Sequence, residues 1–220
     1  MTVNSKFVRI SSLLLIIMLA FSLTACGSAP SQTGSAQAQT TAADASQDKT
    51  SVAEKDGNSA SDKSKTLVVF FSATGTTKGV AGKIASAANA DTYEIIAAQP
   101  YTEADLDWHD SSSRTTKEQN DKSVRPEIGS EKASLEGYST IFIGYPIWWG
   151  EEPRIMDTFV ESYDFSGKTV IPFCTSGGSG IGSSGTNLAE NAGSGNWLEG
   201  ERLSSDSDIE GWVKGLNVLK

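Results

Sequence analysis

Histidine and cysteine are scarce in this 220-residue sequence, which contains one histidine and two cysteines. Besides having only His109 as a candidate base, the chain has no GxSxG motif to expose a nucleophilic serine, so a serine hydrolase is not supported. A Walker A motif is also absent, which argues against nucleoside triphosphate chemistry. We expect His109 to be exposed, and we predict neither a catalytic residue nor a metal site.

Positive charge is also in short supply, with 18 Lys and Arg against 27 Asp and Glu and a formal net charge of −9. Residues 1–25 contain Lys6 and Arg9 but no acidic residue, so the chain without them has two positive charges fewer and a charge of −11. Because affinity for nucleic acid depends on cationic side chains, we predict no nucleic-acid partner. An acidic surface suits a basic or neutral protein partner, and it equally serves solubility alone.

The apolar run Leu13–Leu23 is too short to span a bilayer as a helix of about 20 residues, and basic residues precede it as in a secretory signal peptide. The run ends in Leu-Thr-Ala-Cys at residues 23–26, which resembles the lipobox of bacterial lipoproteins. This resemblance implies removal of residues 1–25 and a lipid anchor on Cys26, at the extracytoplasmic face of a bacterial membrane. The alternative is an ordinary signal peptide with an unrelated cysteine.

Aromatic residues are missing from residues 27–65, and large aliphatic side chains are almost missing, so this segment cannot bury enough apolar area to fold. We therefore predict a lipidated Cys26 followed by a disordered tether through residue 65, and one folded domain over residues 66–220. Cys174 is the only cysteine of that domain, so no disulfide forms within it. We expect Cys174 to be a buried apolar residue.

Within residues 66–220, apolar runs alternate with segments of helical spacing. Strands are predicted at Thr66–Phe71, 92–97, Thr140–Gly144, Thr169–Cys174 and, more briefly, Glu199–Leu203. Helices are predicted at Thr76–Ala88, around Ala104–His109, after Pro153, and from a capping box of Ser205 and Asp208 onward. Strands that alternate with helices indicate a parallel α/β sheet with ligand-binding loops at the carboxyl ends of its strands.

The first of three such loops is residues 72–77 (SATGTT), which open a helix. Free backbone N–H groups and the positive end of the helix dipole favour an anion there, and the hydroxyls suit a single terminal phosphate. A helix capped by threonine is the alternative explanation of the same residues.

The second and third loops differ sharply in bulk. Residues 145–150 (YPIWWG) place large aromatics on a turn, as a wall for a flat ligand or as a hydrophobic latch on the neighbouring helix. Residues 175–180 (TSGGSG) have little side-chain bulk, so their backbone can approach a flat ligand, unless they form only a flexible connection. A phosphate beside a flat apolar ring describes flavin mononucleotide (FMN), and we expect Tyr145, Trp148 and Trp149 to form the wall against its isoalloxazine ring.

The motifs SATGTT, YPIWWG and CTSGGSG resemble those of the flavodoxin-like FMN-binding proteins. The resemblance implies a doubly wound five-stranded parallel sheet of order 2-1-3-4-5. It also implies contacts to the phosphate from Ser72, Thr74, Gly75, Thr76 and Thr77. The implied flavin-flanking residues are Tyr145, Pro146, Ile147, Trp148, Trp149 and Gly150 in one loop and Thr175, Ser176, Gly177, Gly178 and Ser179 in the other. Gly150 matches a position at which a peptide flips on flavin reduction, and we expect Glu151 and Glu152 to lie beside the ring and lower its potential.

The third loop departs from electron-carrier flavodoxins, which usually have an aromatic there, and this leaves one ring face open to nicotinamide or a quinone. Two functions therefore stay open: an electron carrier serving a redox partner, and an FMN-dependent NAD(P)H or quinone oxidoreductase. A flavin-free ligand-binding lipoprotein is a third alternative. Trp108 and Arg114, in a polar insertion, are within reach of the flavin edge, but we do not include them among the site residues.

Overall fold

Parallel strands built from continuous apolar runs form the centre of the structure, a computed structural model that describes residues 65–219. The strands are β1 (Lys65–Phe71), β2 (Asp91–Ile95), β3 (Tyr138–Pro146), β4 (Thr169–Thr175), β5 (Asn196–Trp197) and β6 (Glu201–Arg202). They follow the order β2-β1-β3-β4-β5, with β6 also paired to β4, and every pairing is parallel. The predicted α/β fold and its order 2-1-3-4-5 are confirmed.

The described part of the chain contains five helices, and all but the second pack on the two faces of this sheet. They are α1 (Thr76–Ala88), α2 (Arg114–Asn120), α3 (Arg154–Glu161), α4 (Ser184–Ala192) and α5 (Ile209–Gly215). Alternate residues of one strand serve opposite faces, so Val68 packs with residues of α1 and α5 whereas Val69 packs with residues of α3 and α4. Both faces are therefore apolar cores, as expected for a parallel sheet.

The predicted signal peptide, Cys26 and the tether up to residue 64 lie outside the described residues. Lys65, predicted as the last residue of the tether, is the first residue of β1. Within residues 65–219, no helix combines the length and apolar character needed to cross a membrane. The same residues contain no group of three His, Cys, Asp or Glu side chains that could hold a metal ion.

The fifth strand is divided in two, whereas the sequence predicts one strand over residues 199–203. β5 pairs with Thr169 and Val170, and β6 pairs with Phe173 and Cys174, so the middle of β4 has no partner on this side. The carbonyl groups of Val170 and Cys174 accept hydrogen bonds on this side of β4. Pro172 lies two residues from each of them, so its backbone also faces this side, but proline has no N–H to donate. The division of the strand therefore falls where proline cannot continue the ladder.

The polar insertion between β2 and β3 contradicts one predicted helix and adds another. Residues 104–109 form turns, because the Asp105 carboxylate accepts hydrogen bonds from the backbone and hydroxyl of Thr102. The helix begins instead at Arg114, where the Ser113 side chain accepts from the Thr116 N–H. Its buried residues are Thr115, Thr116, Glu118 and Gln119, all polar, so no apolar periodicity marks it in the sequence.

The last helix begins later than its predicted capping box implies. The Asp208 side chain itself caps α5, because it accepts a hydrogen bond from the Gly211 N–H, and Ser205 is exposed outside the helix. Two other predictions in the described residues are confirmed, since His109 is exposed and Cys174 is fully buried.

Candidate functional site

A cavity of about 580 Å³ opens at the carboxyl ends of β1, β3 and β4, where all three predicted loops meet. It is lined by Ala73, Thr74, Thr76, Thr77, Leu106, Trp108, Thr115, Pro146, Ile147, Trp148, Trp149, Thr175, Ser176 and Gly177. The volume lies within the range of about 300–1,000 Å³ that is usual for sites of small molecules and cofactors. The lining combines hydroxyl groups with three indole rings, so it suits a ligand that has one polar end and one flat apolar part.

The first loop brings the N-terminus of α1 to this cavity. Gly75 precedes the helix with a φ of 88°, and nothing lies within 4 Å of the position that a Cβ would take. Thr74 and Thr76 are exposed beside it, with their hydroxyl oxygens 3.4 Å apart. Ser72 serves the helix itself, because its hydroxyl accepts the Lys78 N–H over 3.1 Å. Thr74, Thr76 and Thr77 are therefore the hydroxyl residues of this loop that line the cavity.

Two direct contacts fix the three loops relative to one another. The Thr77 and Thr175 hydroxyl oxygens are 2.8 Å apart in a buried contact that joins the first loop to the third. The Ile147 N–H donates to the carbonyl oxygen of Thr175 over 2.9 Å, which joins the second loop to the third. Because each contact spans two loops, the cavity is preorganised before a ligand enters it.

The second loop forms a tight turn from Trp148 to Glu151, here called the aromatic turn. The two end residues exchange both backbone hydrogen bonds, at 2.9 and 3.0 Å, and the two central residues have positive φ, 51° at Trp149 and 84° at Gly150. This is the pattern of a type I′ turn. A left-handed conformation is costly for tryptophan, by roughly 1–3 kcal/mol, and such strain is typical of functional sites. The turn holds the half-exposed Trp149 indole at the cavity.

The sequence profile of the flavodoxin family matches residues 65–216, which is the whole sheet with its helices. The chain belongs to the flavodoxin family. None of the curated proteins matches it. A solved structure from Bacteroides eggerthii, described as that of a flavoprotein, is 49% identical over 71% of this chain and 98% of its own, with a TM-score of 0.66. A flavoprotein from Lactobacillus acidophilus, solved in complex with FMN, is 25% identical over 68% of this chain and 98% of its own, with a TM-score of 0.55.

Tyr145 does not line the cavity of this flavodoxin domain, contrary to prediction. Its side chain is completely buried, and its hydroxyl lies 3.0 Å from that of Ser184 in α4. Burial raises the pKa of Tyr145, so the phenol stays neutral. The tyrosine packs in the core because it lies on the same face of β3 as Ile141 and Ile143, the face that α3 and α4 cover. The wall predicted from three aromatics therefore has two of them, Trp148 and Trp149.

Trp148 packs against β1 and the polar insertion, and not on the neighbouring helix as the latch prediction for the second loop implies. Its ring is edge-on to Phe71, at 5.6 Å between centroids, and to Tyr101, at 5.3 Å, so it latches onto the core. It also lines the cavity next to Trp149. The packing of Trp148 fixes the base of the aromatic turn, and Trp149 is the more exposed of the two tryptophans.

Glu151 and Glu152 do not line the cavity, and each has charged or polar partners elsewhere. Glu151 pairs with Lys122 and Arg154, and these hydrogen bonds hold the pKa of the Glu151 carboxyl below its usual range. Glu152 is buried, 3.1 Å from the Asn187 amide and 3.5 Å from the Arg154 guanidinium. The prediction that both carboxylates face the ring is therefore not supported by their positions.

A polar cluster contacts the aromatic turn; its members are the buried residues Gln119, Glu152, Arg154 and Asp157 and the half-buried Asn187. Arg154 donates to the Gln119 carbonyl oxygen over 3.3 Å and lies 3.5 Å from the Asp157 carboxylate. Burial raises the pKa of Glu152 to about 7 and also raises that of Asp157. The cluster thus links α2, α3 and α4 to the backbone of the turn.

Three lining residues come from outside the predicted loops, from the polar insertion. Leu106 and Trp108 reach the cavity from residues 101–113, and Thr115 reaches it from the first turn of α2. The only sequence signal is Trp108 itself, an isolated large aromatic in a polar segment. Arg114 is not among the lining residues, because its guanidinium lies over the Tyr101 ring at 4.0 Å and pairs with Glu118.

The cavity gathers most, but not all, of the predicted site residues. Predicted residues among its lining are Thr74, Thr76, Thr77, Pro146, Ile147, Trp148, Trp149, Thr175, Ser176 and Gly177. Ser72, Gly75, Gly150, Gly178 and Ser179 shape the same loops without lining it. In the third loop, for example, the Ser176 hydroxyl accepts the Gly178 N–H and is also bonded to Arg202.

Proposed function

We propose that the protein is an FMN-binding redox protein that passes electrons to or from a partner. The observation that carries this proposal is the cavity itself, in which the N-terminus of a 13-residue helix and threonine hydroxyls meet the indole rings of one turn. Membership of the flavodoxin family and the FMN complex of the Lactobacillus acidophilus flavoprotein support FMN as the cofactor.

The residues present fit FMN on grounds of their own chemistry. The exposed hydroxyls of Thr74 and Thr76, with the open space at Gly75, suit the phosphate at the positive end of the α1 dipole. Trp148 and Trp149 suit the isoalloxazine ring, and the nearly bare backbone at Gly177 suits its polar edge. Bound FMN supplies the one- and two-electron chemistry, and the protein binds the cofactor, orients it and excludes water.

A second candidate function is FMN-dependent oxidation of NAD(P)H or reduction of a quinone. It is favoured by the third loop, which contributes only Thr175, Ser176 and Gly177 to the cavity and leaves room for a second flat molecule. The carrier is favoured by the acidic chain, with a net charge of −11 once residues 1–25 are left out, which suits electrostatic attraction to a basic partner protein.

The decisive experiment is a visible absorption spectrum of the purified protein before and after incubation with FMN and gel filtration. A retained flavin spectrum that is shifted from that of free FMN is the expected result. Bleaching by NADPH without a partner then identifies the oxidoreductase, and resistance to NADPH identifies the carrier. A colourless protein from which FMN elutes freely would overturn the proposal and favour a flavin-free binding protein.

The proposed phosphate end has a test that uses riboflavin, which is FMN without its phosphate. The variant T76A should weaken FMN binding and leave riboflavin binding unchanged, because only the phosphate loses a hydroxyl donor. Thr186, exposed on α4, supplies the matched control T186A, for which both affinities should equal those of the unaltered protein. Equal weakening of both ligands by T76A would contradict a phosphate contact.

We also propose that Cys26 carries a lipid that tethers the protein to the extracytoplasmic face of a bacterial membrane. The sequence at residues 23–26 and the absence of aromatics from residues 27–65 support this proposal. The test is metabolic labelling with a radioactive fatty acid in a bacterial host, with C26S as the control. Label on the unaltered protein, but not on C26S, is expected, and equal labelling of the two would refute the anchor.

A further inference from the structure

The third loop brings no aromatic side chain to the cavity, yet the cavity contains a third indole. Thr175, Ser176 and Gly177 are the lining residues of that loop. Trp108 comes instead from the polar insertion, together with Leu106. The cavity is therefore bounded by tryptophans from two separate parts of the chain, the aromatic turn and the insertion.

The insertion is firmly attached at both sides of Trp108. On one side, the backbone carbonyl of Asp105 accepts two hydrogen bonds from Thr115, from its hydroxyl at 2.6 Å and its N–H at 3.1 Å. On the other side, the carbonyl of Asp110 accepts the Thr116 hydroxyl at 3.0 Å. Both threonines are buried, so these bonds are sheltered from water and fix the position of the Trp108 backbone.

Trp108 is nevertheless 67% exposed, the largest exposed fraction among the large hydrophobic residues in the described part of the chain. Its indole lies against the imidazole of His109, with centroids 3.4 Å apart, and it also lines the cavity. A large aromatic side chain on a fixed backbone, exposed at the mouth of a cavity, presents apolar surface that a flat ligand would bury.

We propose that Trp108 stacks on the isoalloxazine ring and supplies the aromatic contact that the third loop lacks. This inference rests on the proposed function, because it takes FMN as the ligand of the cavity. It also bears on the choice between carrier and oxidoreductase, since an indole on the ring excludes a second flat molecule from that position.

The test is a titration of the full chain with FMN and, separately, with riboflavin. The quenching of flavin fluorescence measures binding in both titrations. We expect W108A to weaken the binding of both ligands by the same factor, about tenfold or more, because stacking involves the ring and not the phosphate. W108F should stay within about threefold of the unaltered protein, since an aromatic face is restored. I96A is the matched control, because Ile96 is 52% exposed and does not line the cavity.

The outcomes separate this inference from the proposed function. If the unaltered protein binds FMN and W108A binds it equally well, the inference is overturned and the FMN site stands. Weakening of FMN alone, with riboflavin unaffected, also overturns it, because the loss then lies at the phosphate. If the unaltered protein binds neither flavin, the proposed function fails and the inference fails with it. Equal unfolding midpoints for W108A and the unaltered protein show that lost affinity reflects the missing indole.

Discussion

The side-chain amide of Gln119 donates a hydrogen bond to the backbone carbonyl oxygen of Trp148 over 3.0 Å. The same nitrogen donates to the carbonyl oxygen of Glu152 over 3.1 Å, so one buried side chain grips the aromatic turn on both sides. The turn contains a left-handed tryptophan, and such a conformation persists only where its surroundings determine it strongly. Helix α2, outside the central sheet, is therefore part of the support of the site.

The variant Q119A should reduce both stability and flavin affinity. It leaves the carbonyl group of Glu152 without its donor in a buried position, which costs about 1–3 kcal/mol of unfolding free energy. Urea denaturation measures that loss, and an FMN titration measures the loosening of the turn. N120A is the matched control, because Asn120 is the neighbouring residue of α2 and is exposed. A stability for Q119A equal to that of N120A would show that the turn does not depend on α2.

The variant E152Q should change how stability varies with pH. Burial raises the pKa of Glu152 to about 7 in the folded protein, whereas its ordinary value is 4.5. Between these two values the folded state binds more protons than the unfolded state, so the contribution of Glu152 to stability falls as pH rises and levels off above about 7. A glutamine lacks this dependence, and E152Q should gain up to about 3 kcal/mol relative to the unaltered protein across that window.

The control is a substitution at Glu161, which should change stability with pH in the opposite direction. Hydrogen bonds from Arg125 hold the pKa of Glu161 below its ordinary value, so Glu161 contributes stability that is present above pH 4.5 and is lost on acidification. E161Q should therefore lose stability relative to the unaltered protein as pH rises from acid. Thermal unfolding in buffers from pH 4 to 8 compares the two variants, and parallel curves for both would contradict the raised pKa of Glu152.

Gly144 in β3 should not tolerate a methyl group. A Cβ at this position would lie 2.0 Å from the Phe173 ring, which is fully buried in β4. G144A should therefore destabilise the fold by about 1–3 kcal/mol. Gly79 in α1 offers the matched control, because nothing lies within 4 Å of its Cβ position, and G79A should stabilise the helix by about 0.5–1 kcal/mol. Urea denaturation decides, and equal stabilities for the two variants would rule out the predicted clash.

Cys174 should react with alkylating reagents only after unfolding. Its side chain is fully buried, and burial raises the pKa of the Cys174 thiol to about 12, so almost no thiolate is present near pH 8. Peptide mass spectrometry locates the label at residue 174 and keeps it separate from any label on Cys26. We expect full labelling in guanidinium chloride and almost none in native buffer. Labelling of the native protein as fast as that of an unstructured cysteine peptide would disprove the burial.

The sequence alone predicts the three central strands because β1, β3 and β4 are buried on both faces and their sequences are largely apolar. Predicted and observed ends of β1 differ by one residue, and β3 differs mainly in length. That difference has a consequence at Tyr145. A strand that ends at Gly144 leaves Tyr145 on the turn, whereas β3 continues to Pro146 and directs Tyr145 into the core, in the alternation set by Ile141 and Ile143.

The parts of the site that lie in the insertion could not be predicted in the same way. Helix α2 buries a polar face, so its place depends on hydrogen bonds to residues distant in sequence, such as that from Gln119 to Trp148. Trp108 is conspicuous as a large aromatic residue in a polar segment, but no periodic pattern around it predicts where its side chain lies. The local pattern of apolar residues predicts which side chains are buried, but it does not predict specific polar contacts between segments that are distant in sequence.

The divided edge of the sheet, at Pro172, limits how another molecule can engage this protein. An uninterrupted edge strand has a row of free N–H and C=O groups with which an extended segment of another chain can pair. In this protein β5 and β6 contribute only two residues each, and between them Gly200 packs close to the Pro172 carbonyl. Such an edge has no continuous row of backbone hydrogen-bonding groups with which a further strand could pair. A second protein chain that approaches this side therefore meets side chains and loops, and it cannot extend the sheet along a continuous strand.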